Sequence, residues 1–243
     1  MTQILPAIIP ESYEDLMCKM SAVKGIVKLV QVDVCDGKFV SSKCWPYIRD
    51  DENHFEKIIK EDEGFPFWQD MDFEADLMIE TNQELVEEWI KAGAKAVVIH
   101  IESSPNILDI VKEIRKTYGY PGDSLISIEV GIALNIDTPN KLLDPFLKKN
   151  KEGRRLADFI QFMGIDKIGY QGQEFDEYVY KKIAELRKKY PDITISVDGG
   201  VGFDNYKKLV EVGANKLISG SAIYESDDIK EAVEEMQDAD FQS

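Results

Sequence analysis

The sequence predicts an α/β protein built as a (β/α)8 barrel, or TIM barrel, and three observations support this fold class. Short runs rich in valine and isoleucine alternate with longer charged amphipathic stretches, which is typical of a parallel sheet covered by helices. Eight such units can be counted, whereas an open doubly wound sheet more often has about five to seven strands and a glycine-rich first turn. The length of 243 residues also matches the roughly 250 that are usual for one barrel.

Each predicted strand is a short apolar run, and each is followed by a stretch with helical periodicity. We expect strands at residues 4–9, 26–34, 73–79, 96–101, 126–134, 159–163, 193–197 and 216–219. The clearest helices are expected at residues 14–23, 83–92, 107–117, 177–190 and 206–212. Residues 91–98 resemble residues 211–218, since both read as a helix ended by glycine and then a buried strand, as two half-barrels would.

The pattern predicts a single barrel domain covering residues 1–243, because no low-complexity linker interrupts it. One long excursion, residues 37–70, begins where the second strand ends. It therefore belongs on the carboxyl-terminal side of the barrel, where active sites lie. Its aromatic residues either form a lid that excludes water or hold the loop against the barrel rim.

The composition limits the partners that we expect. A net charge of −17 argues against nucleic acid and anionic membranes, which require a basic face. The sequence has neither an N-terminal apolar segment nor an apolar run long enough to span a bilayer, so a cytoplasmic location is expected. Cys18, Cys35 and Cys44 lack metal-type spacing and fit free thiols in a reducing compartment. The sequence does not determine the oligomeric state, so a homo-oligomer and a monomer both stay open.

The most informative local pattern is a pair of glycine turns near the end of the chain. Residues 196–201 and 218–223 each read as an apolar strand, a glycine turn and the start of a helix, whose backbone N–H groups suit a phosphate. Such a site usually follows the last two barrel strands, and a carboxylate at the carboxyl end of a strand is typical of a catalytic residue. We predict phosphate binding by Gly199, Gly200, Gly220 and Ser221, and a catalytic Asp198. The alternative is that the aspartate and the glycines have only a structural role, capping the helix and forming the tight turn before it.

Two further carboxylates are expected beside Asp198. Alternation along the second strand points Gln31 and Asp33 into the barrel, and Asp76 occupies the third strand. Three acids that converge away from water demand either a shared proton or a divalent metal. The alternative is that Asp33 and Asp36 form a turn or a helix cap and that Asp76 is solvated.

Taken in order, these motifs resemble the ribulose-phosphate 3-epimerase family over nearly the whole chain. The segments that carry the resemblance are residues 6–9, 33–37, 77–80, 100–102, 131–135, 163–173, 198–201 and 220–223. The resemblance implies epimerisation at C3 of a pentulose 5-phosphate, interconverting D-ribulose 5-phosphate and D-xylulose 5-phosphate. Asp33 and Asp198 would exchange protons on opposite faces of the substrate, and a divalent metal would stabilise the cis-enediolate.

The resemblance also implies a small phosphorylated ketose as partner and further residues around the cavity. Gly172 would belong to the loop that closes over the phosphate, Met78 and Met163 to an apolar cap, and His100 to the cavity wall. For His100 a purely structural role is the alternative, and for the two methionines it is plain core filling. The alternative functions are epimerisation of another ketose phosphate, such as a hexulose 6-phosphate, and a non-catalytic phosphometabolite-binding barrel.

The chain departs from the family at the metal site, where the family has a histidine on strand two and another on strand three. Gln31 and Asp76 stand at those positions. A site built from Gln31, Asp33, Asp76 and Asp198 offers oxygen ligands, which favour Mg²⁺ or Mn²⁺ over Zn²⁺. An oxygen-ligated metal enzyme, a metal-free variant that uses hydrogen bonds and a relative that has lost epimerisation all stay open.

Overall fold

The computed structural model describes residues 2–48, 52–124, 127–170 and 172–238. Eight parallel strands close into a barrel in chain order, which confirms the predicted fold class. The strands are β1 (Gln3–Ile8), β2 (Leu29–Cys35), β3 (Asp72–Met78), β4 (Ala96–His100), β5 (Glu129–Leu134), β6 (Phe159–Met163), β7 (Thr194–Asp198) and β8 (Lys216–Ser219).

Helices cover the outside of the barrel and connect successive strands. They are α1 (Tyr13–Val23), α2 (His54–Ile59), α3 (Gln83–Lys91), α4 (Ile107–Tyr118), α5 (Asp144–Leu147), α6 (Tyr178–Lys189), α7 (Tyr206–Glu211), α8 (Ser221–Tyr224) and α9 (Ile229–Gln237), with a 3₁₀ turn at Asn140–Leu143 before α5. In the described part of the chain, none of them has the length and apolar character needed to cross a bilayer.

The predicted elements agree with the observed ones apart from their ends. The second strand begins at Leu29 rather than at residue 26, because a turn after α1, with Gly25 at φ 82°, occupies the preceding residues. The fifth strand begins at Glu129; residue 126, where it was expected to start, lies outside the described residues.

The similarity between residues 91–98 and 211–218 corresponds to the same helix ending. Gly93 (φ 96°) follows α3 and Gly213 (φ 114°) follows α7, both in the left-handed region. The next amide bonds back across the turn in each case, Ala94 to the carbonyl of Trp89 and Ala214 to that of Leu209. This is the Schellman geometry that glycine favours, and it directs the chain into β4 and β8.

Strand alternation divides the barrel into an apolar outer layer and a partly polar interior. Val32 and Val34 of β2 join the large core between strands and helices, whereas Gln31 and Asp33 point inward. At the floor of the barrel, Lys216 forms a buried ion pair with Glu74, and its Nζ lies 4.1 Å from the ring centroid of Phe159. This ion pair was missed by the sequence analysis.

The excursion at residues 37–70, of which 49–51 lie outside the described residues, is held to the barrel by aromatic packing. Trp45 is fully buried and meets Trp89 of α3 edge-on, at 6.3 Å between ring centroids. Phe65 stacks on Phe73 of β3 at 3.7 Å. Of the two roles expected for the aromatics, Trp45 and Phe65 therefore fit the anchor.

Trp89 tests how much this aromatic packing contributes to stability. Its side chain is fully buried, so Trp89→Ala should lower the free energy of unfolding by about 3–5 kcal/mol through lost burial and a residual cavity. Trp68 is 64% exposed, and the matched Trp68→Ala should change it by no more than about 0.5 kcal/mol. Urea unfolding measures both; equal losses would contradict the assigned packing.

Candidate functional site

A cavity of about 440 Å³ opens at the carboxyl-terminal end of the strands. Asp33 and Asp198 both line it, as do Met78 and Met163. The glycine-turn residues line the same cavity: Gly172, Gly199, Gly200, Gly220 and Ser221. The structure thus brings the two carboxylates and the glycine turns to one opening.

Three aspartates meet just inside this opening. Asp33 lies on the inward face of β2, Asp76 is its register neighbour on β3, and Asp198 is the last residue of β7. Ligand oxygens of all three lie within 4.8 Å of one another. Asp76 is fully buried, which excludes the alternative that it is solvated. Of the two residues in the turn-forming alternative, Asp36 fits it, since its Oδ1 accepts hydrogen bonds from the amides of residues 38 and 39.

Two carboxamides and one imidazole surround the carboxylates. Gln31 Nε2 donates to Asp33 Oδ1 and to Asp198 Oδ2, both at 2.8 Å. Gln161 Nε2 donates to Asp76 Oδ2 at 3.1 Å and to Asp198 Oδ2 at 3.4 Å. Sequence reasoning missed Gln161, although its signal was present: it is the one polar residue in the apolar strand β6.

His100 occupies a different place from the one expected. It is absent from the cavity lining and lies deeper, fully buried, with Nε2 at 3.1 Å from Asp76 Oδ1. Phe39 packs against its ring at 5.4 Å between centroids. His100 is the last residue of β4, which pairs with β3, and its side chain therefore contacts Asp76 of β3 rather than the opening. The other histidine, His54, stacks on Tyr13 outside the site.

Burial and mutual repulsion make the cluster hard to ionise completely. Burial, followed by repulsion from Asp198 and Asp76, raises the pKa of Asp33 well above its usual range. Burial and repulsion from Asp76 raise the pKa of Asp198 to about 8. Burial lowers the pKa of His100, but attraction to Asp76 outweighs it and the net pKa is raised. The cluster therefore retains protons or binds a cation near neutral pH.

The donor set fits a hard divalent cation. Three buried carboxylates supply the charge, and the spacing of their oxygens permits a shared ion. Gln31 Oε1 is buried without a hydrogen-bond partner among the described residues, so the site holds an unused oxygen beside the anionic cluster. Carboxylate and amide oxygens are ligands that Mg²⁺ and Mn²⁺ prefer.

An apolar cluster lies beside the aspartates at the opening. Cys35 and Met78 each follow an aspartate by two residues on the same strand face, and Met163 is the register neighbour of Asp198. These three side chains pack in one cluster with Val40 and Ile165. The cluster limits the access of water to the carboxylates, which strengthens every electrostatic interaction among them.

The glycine turns require glycine at two positions. Gly199 and Gly200 have φ of 95° and 68°, in the left-handed region. A Cβ on Gly199 would lie 2.7 Å from Ile165, and one on Gly200 would lie 3.0 Å from the backbone of Phe175. Neither lysine nor arginine lines the cavity among the described residues. An anion bound here would therefore depend on backbone N–H groups.

The loop after β6 reaches across to the excursion that follows β2. Tyr170 Oη lies 2.8 Å from Ser41 Oγ, within hydrogen-bond distance. Lys167 lies over the Tyr170 ring, with Nζ 4.8 Å from the centroid. Gly172 has φ of 69° and lines the cavity, whereas Gln171 lies outside the described residues.

Known proteins with similar sequences share one family. The family model described as the ribulose-phosphate 3 epimerase family matches residues 3–224. A ribulose-phosphate 3-epimerase of Bacillus subtilis is 27% identical over 98% of this chain and 99% of that protein. The chloroplastic ribulose-5-phosphate-3-epimerase of Arabidopsis thaliana is 29% identical over 95% of this chain and 74% of that protein.

Solved structures show the same fold at lower identity. KGPDC from Streptococcus mutans superposes with a TM-score of 0.65 at 14% identity, covering 98% of this chain and 97% of the other. The 3-hexulose-6-phosphate synthase of Salmonella typhimurium gives a TM-score of 0.62 at 18% identity, covering 100% and 99%. These likenesses support the barrel fold alone.

Asp198 should make the stability of the metal-free protein depend on pH. Its folded pKa of about 8 exceeds the roughly 3.9 of an unfolded aspartate, so between these values the folded state holds the extra proton. The free energy of unfolding should therefore fall from about pH 5 to pH 8, by up to about 1.4 kcal/mol per pH unit. Urea unfolding with a chelator measures this slope.

Asp198→Asn should flatten that slope, because the amide does not titrate. The exposed Asp204 provides the matched control, and Asp204→Asn should keep the wild-type slope. An Asp198→Asn slope equal to that of the wild type would contradict the raised pKa.

Proposed function

The chain belongs to the ribulose-phosphate 3-epimerase family, and on this premise we propose that it epimerises C3 of a phosphorylated ketose. The leading pair is D-ribulose 5-phosphate and D-xylulose 5-phosphate. One observation carries the proposal: Asp33 and Asp198 line the same cavity, and their carboxylate oxygens lie within 4.8 Å of each other. The glycine turns line that cavity too. The protein would thus be an isomerase whose substrate is a small sugar phosphate.

The proposed reaction needs two carboxyl groups in opposite protonation states. Inversion of a carbon beside a carbonyl requires one group to remove the proton and another to return one to the opposite face. The ionised aspartate takes the C3 proton, and the C–H electron pair moves into an enediolate with the C2 oxygen. The protonated aspartate then delivers its proton to the other face of C3. The raised pKa values of Asp33 and Asp198 support one proton on the pair near neutral pH.

We propose Mg²⁺ or Mn²⁺ as the cation of this site. Asp33, Asp76, Asp198 and the free Oε1 of Gln31 would hold it. When bound, such an ion supplies positive charge that stabilises the enediolate oxygens. A third carboxylate strengthens cation binding, whereas the oxygen set disfavours Zn²⁺, which prefers nitrogen and sulfur.

Phosphate binding is proposed for the backbone of the glycine turns. Gly199, Gly200, Gly220 and Ser221 provide N–H groups at neighbouring strand ends, and Gly172 belongs to the loop beside them. Anchoring the phosphate here fixes the distance from the anchor to C3, so the reacting carbon stays between the two aspartates. Cys35, Met78 and Met163 would exclude water from the enediolate.

A hexulose 6-phosphate is the second candidate substrate. Phe203, Glu225 and Ser226 also line the cavity, and its volume of about 440 Å³ supports a ketose with one more carbon. All three cysteines are free thiols, which supports a reducing compartment and a cytoplasmic location for this chemistry.

Replacing either proposed proton carrier should abolish turnover. Asp33→Asn and Asp198→Asn should each lower kcat by about 10²–10⁴-fold, because a carboxamide cannot exchange the C3 proton. NMR in D₂O measures both product formation and deuterium entering C3, for the pentulose and hexulose phosphates in parallel. The exposed Asp204→Asn should behave as the wild type.

Two results would count against this proposal. Turnover within a few-fold of wild type in Asp33→Asn or Asp198→Asn would exclude the assigned role of that residue. A wild-type protein that binds these phosphates without deuterium exchange would point to the non-catalytic barrel.

The cation can be tested without measuring activity. Added at about 100 times its Kd, Mg²⁺ or Mn²⁺ should stabilise chelator-treated protein by about 2.7 kcal/mol in thermal unfolding, because it binds only the folded state. Asp76→Asn should lose most of this gain. Asp72→Asn is the matched control, since Asp72 lies on the same strand and pairs with Lys95 at the exposed end. An equal gain in both variants would rule out Asp76 as a ligand.

A further inference from the structure

Gln161 is a buried polar residue beside the aspartates that the acid and base chemistry described above does not use. It lies in the middle of β6, and strand alternation turns it inward together with Phe159 and Met163. Ile160 and Phe162 join the outer core. The side chain of Gln161 is fully buried. A carboxamide at such a position is unfavourable unless its polar atoms are all bonded.

Both polar atoms of this side chain have partners. Nε2 donates to Asp76 Oδ2 at 3.1 Å and to Asp198 Oδ2 at 3.4 Å. Oε1 accepts from Ser196 Oγ at 3.4 Å, which fixes the amide with its N–H groups towards the carboxylates. Gln161 therefore connects two of the three aspartates from below the cavity.

The same oxygen of Asp198 accepts from both amides. Gln31 Nε2 and Gln161 Nε2 donate to Oδ2, and neither of them donates to Oδ1. Because Asp198 lines the cavity, this arrangement leaves Oδ1 as the oxygen for a ligand. Asp76 has both oxygens engaged, Oδ1 with His100 and Oδ2 with Gln161, and it does not line the cavity.

We infer that Gln161 is a positioning residue that orients Asp198 for proton transfer and holds Asp76 back from the substrate. The inference rests on the proposed epimerase function. Gln161 bonds directly to Asp198 and Asp76, whereas the carboxamide that donates to Asp33 among the described residues is that of Gln31. Loss of Gln161 should therefore impair one of the two proton transfers and not the other.

That asymmetry gives a signature that general destabilisation does not produce. In D₂O, the epimer that loses its proton to Asp33 would form the enediolate normally, but Asp198 would deliver the second proton slowly. More of the intermediate would return to substrate, so the unreacted ketose would gain more deuterium per product formed. The other epimer loses its proton to Asp198, so its first step is the slow one. Its unreacted substrate would therefore gain less deuterium for each molecule of product formed.

The experiment compares the wild type with Gln161→Met, which keeps an unbranched side chain of similar volume but removes both donors. We expect kcat to fall by about 10- to 100-fold, as for hydrogen bonds to charged groups, with KM changed less than about twofold because the phosphate anchor is intact. The deuterium ratio should shift in opposite directions for the two epimers. Ile160→Val is the matched control, since Ile160 lies on the same strand but belongs to the outer core; its ratios should stay within about twofold of wild type.

The outcomes separate this inference from the function on which it rests. Gln161→Met with wild-type kcat and ratios overturns the positioning role while leaving the epimerase intact. A rate loss with equal ratio changes for both epimers also overturns it, because that is the effect of a structural defect. A wild-type protein without deuterium exchange overturns the epimerase proposal itself. Thermal unfolding checks that the variant is folded, and Gln161→Leu replaces it if it is not.

Discussion

The repulsion among three buried carboxylates is the constraint on which the rest of this site depends. Asp33, Asp76 and Asp198 have oxygens within 4.8 Å of one another, at positions almost closed to water. Three full charges in so small a volume would cost more than hydrogen bonds alone offset. The surrounding groups are accordingly donors: two carboxamides and an imidazole from β2, β6 and β4. The remaining charge is balanced by bound protons or by a cation. A carboxyl group that keeps its proton near neutral pH is also what the proposed proton transfer needs.

The barrel solves this problem by separating its interior into layers. At the floor, Glu74 has its own counterion in Lys216, so that carboxylate does not need the cation or protons of the upper cluster. The aspartates form the next layer, and Cys35, Met78 and Met163 pack in an apolar cluster beside them. Asp33 and Asp198 reach the same cavity as the glycine turns, where backbone N–H groups can bind a phosphate.

Local sequence patterns were enough to predict the features that recur along the chain. Strand and helix periods fix which side chains face inward, so the barrel and the inward direction of Asp33 followed from alternation alone. The turns at Gly199 and Gly220 could be recognised because a glycine turn between a strand and a helix consists of consecutive residues. The start of β2 was predicted too early, because a turn at Gly25 places the first strand residue at Leu29.

The contacts among inward-facing groups depend on the packed barrel and could not be read from any local pattern. Gln161 and Asp76 are 85 positions apart in the sequence, and Glu74 and Lys216 are 142 apart, so no local pattern links them. The depth of His100 below the cavity likewise depends on strand register, and the anchoring of Trp45 depends on α3 packing beside it. Periodicity states a direction for each side chain, whereas a contact also requires the closed order and stagger of eight strands.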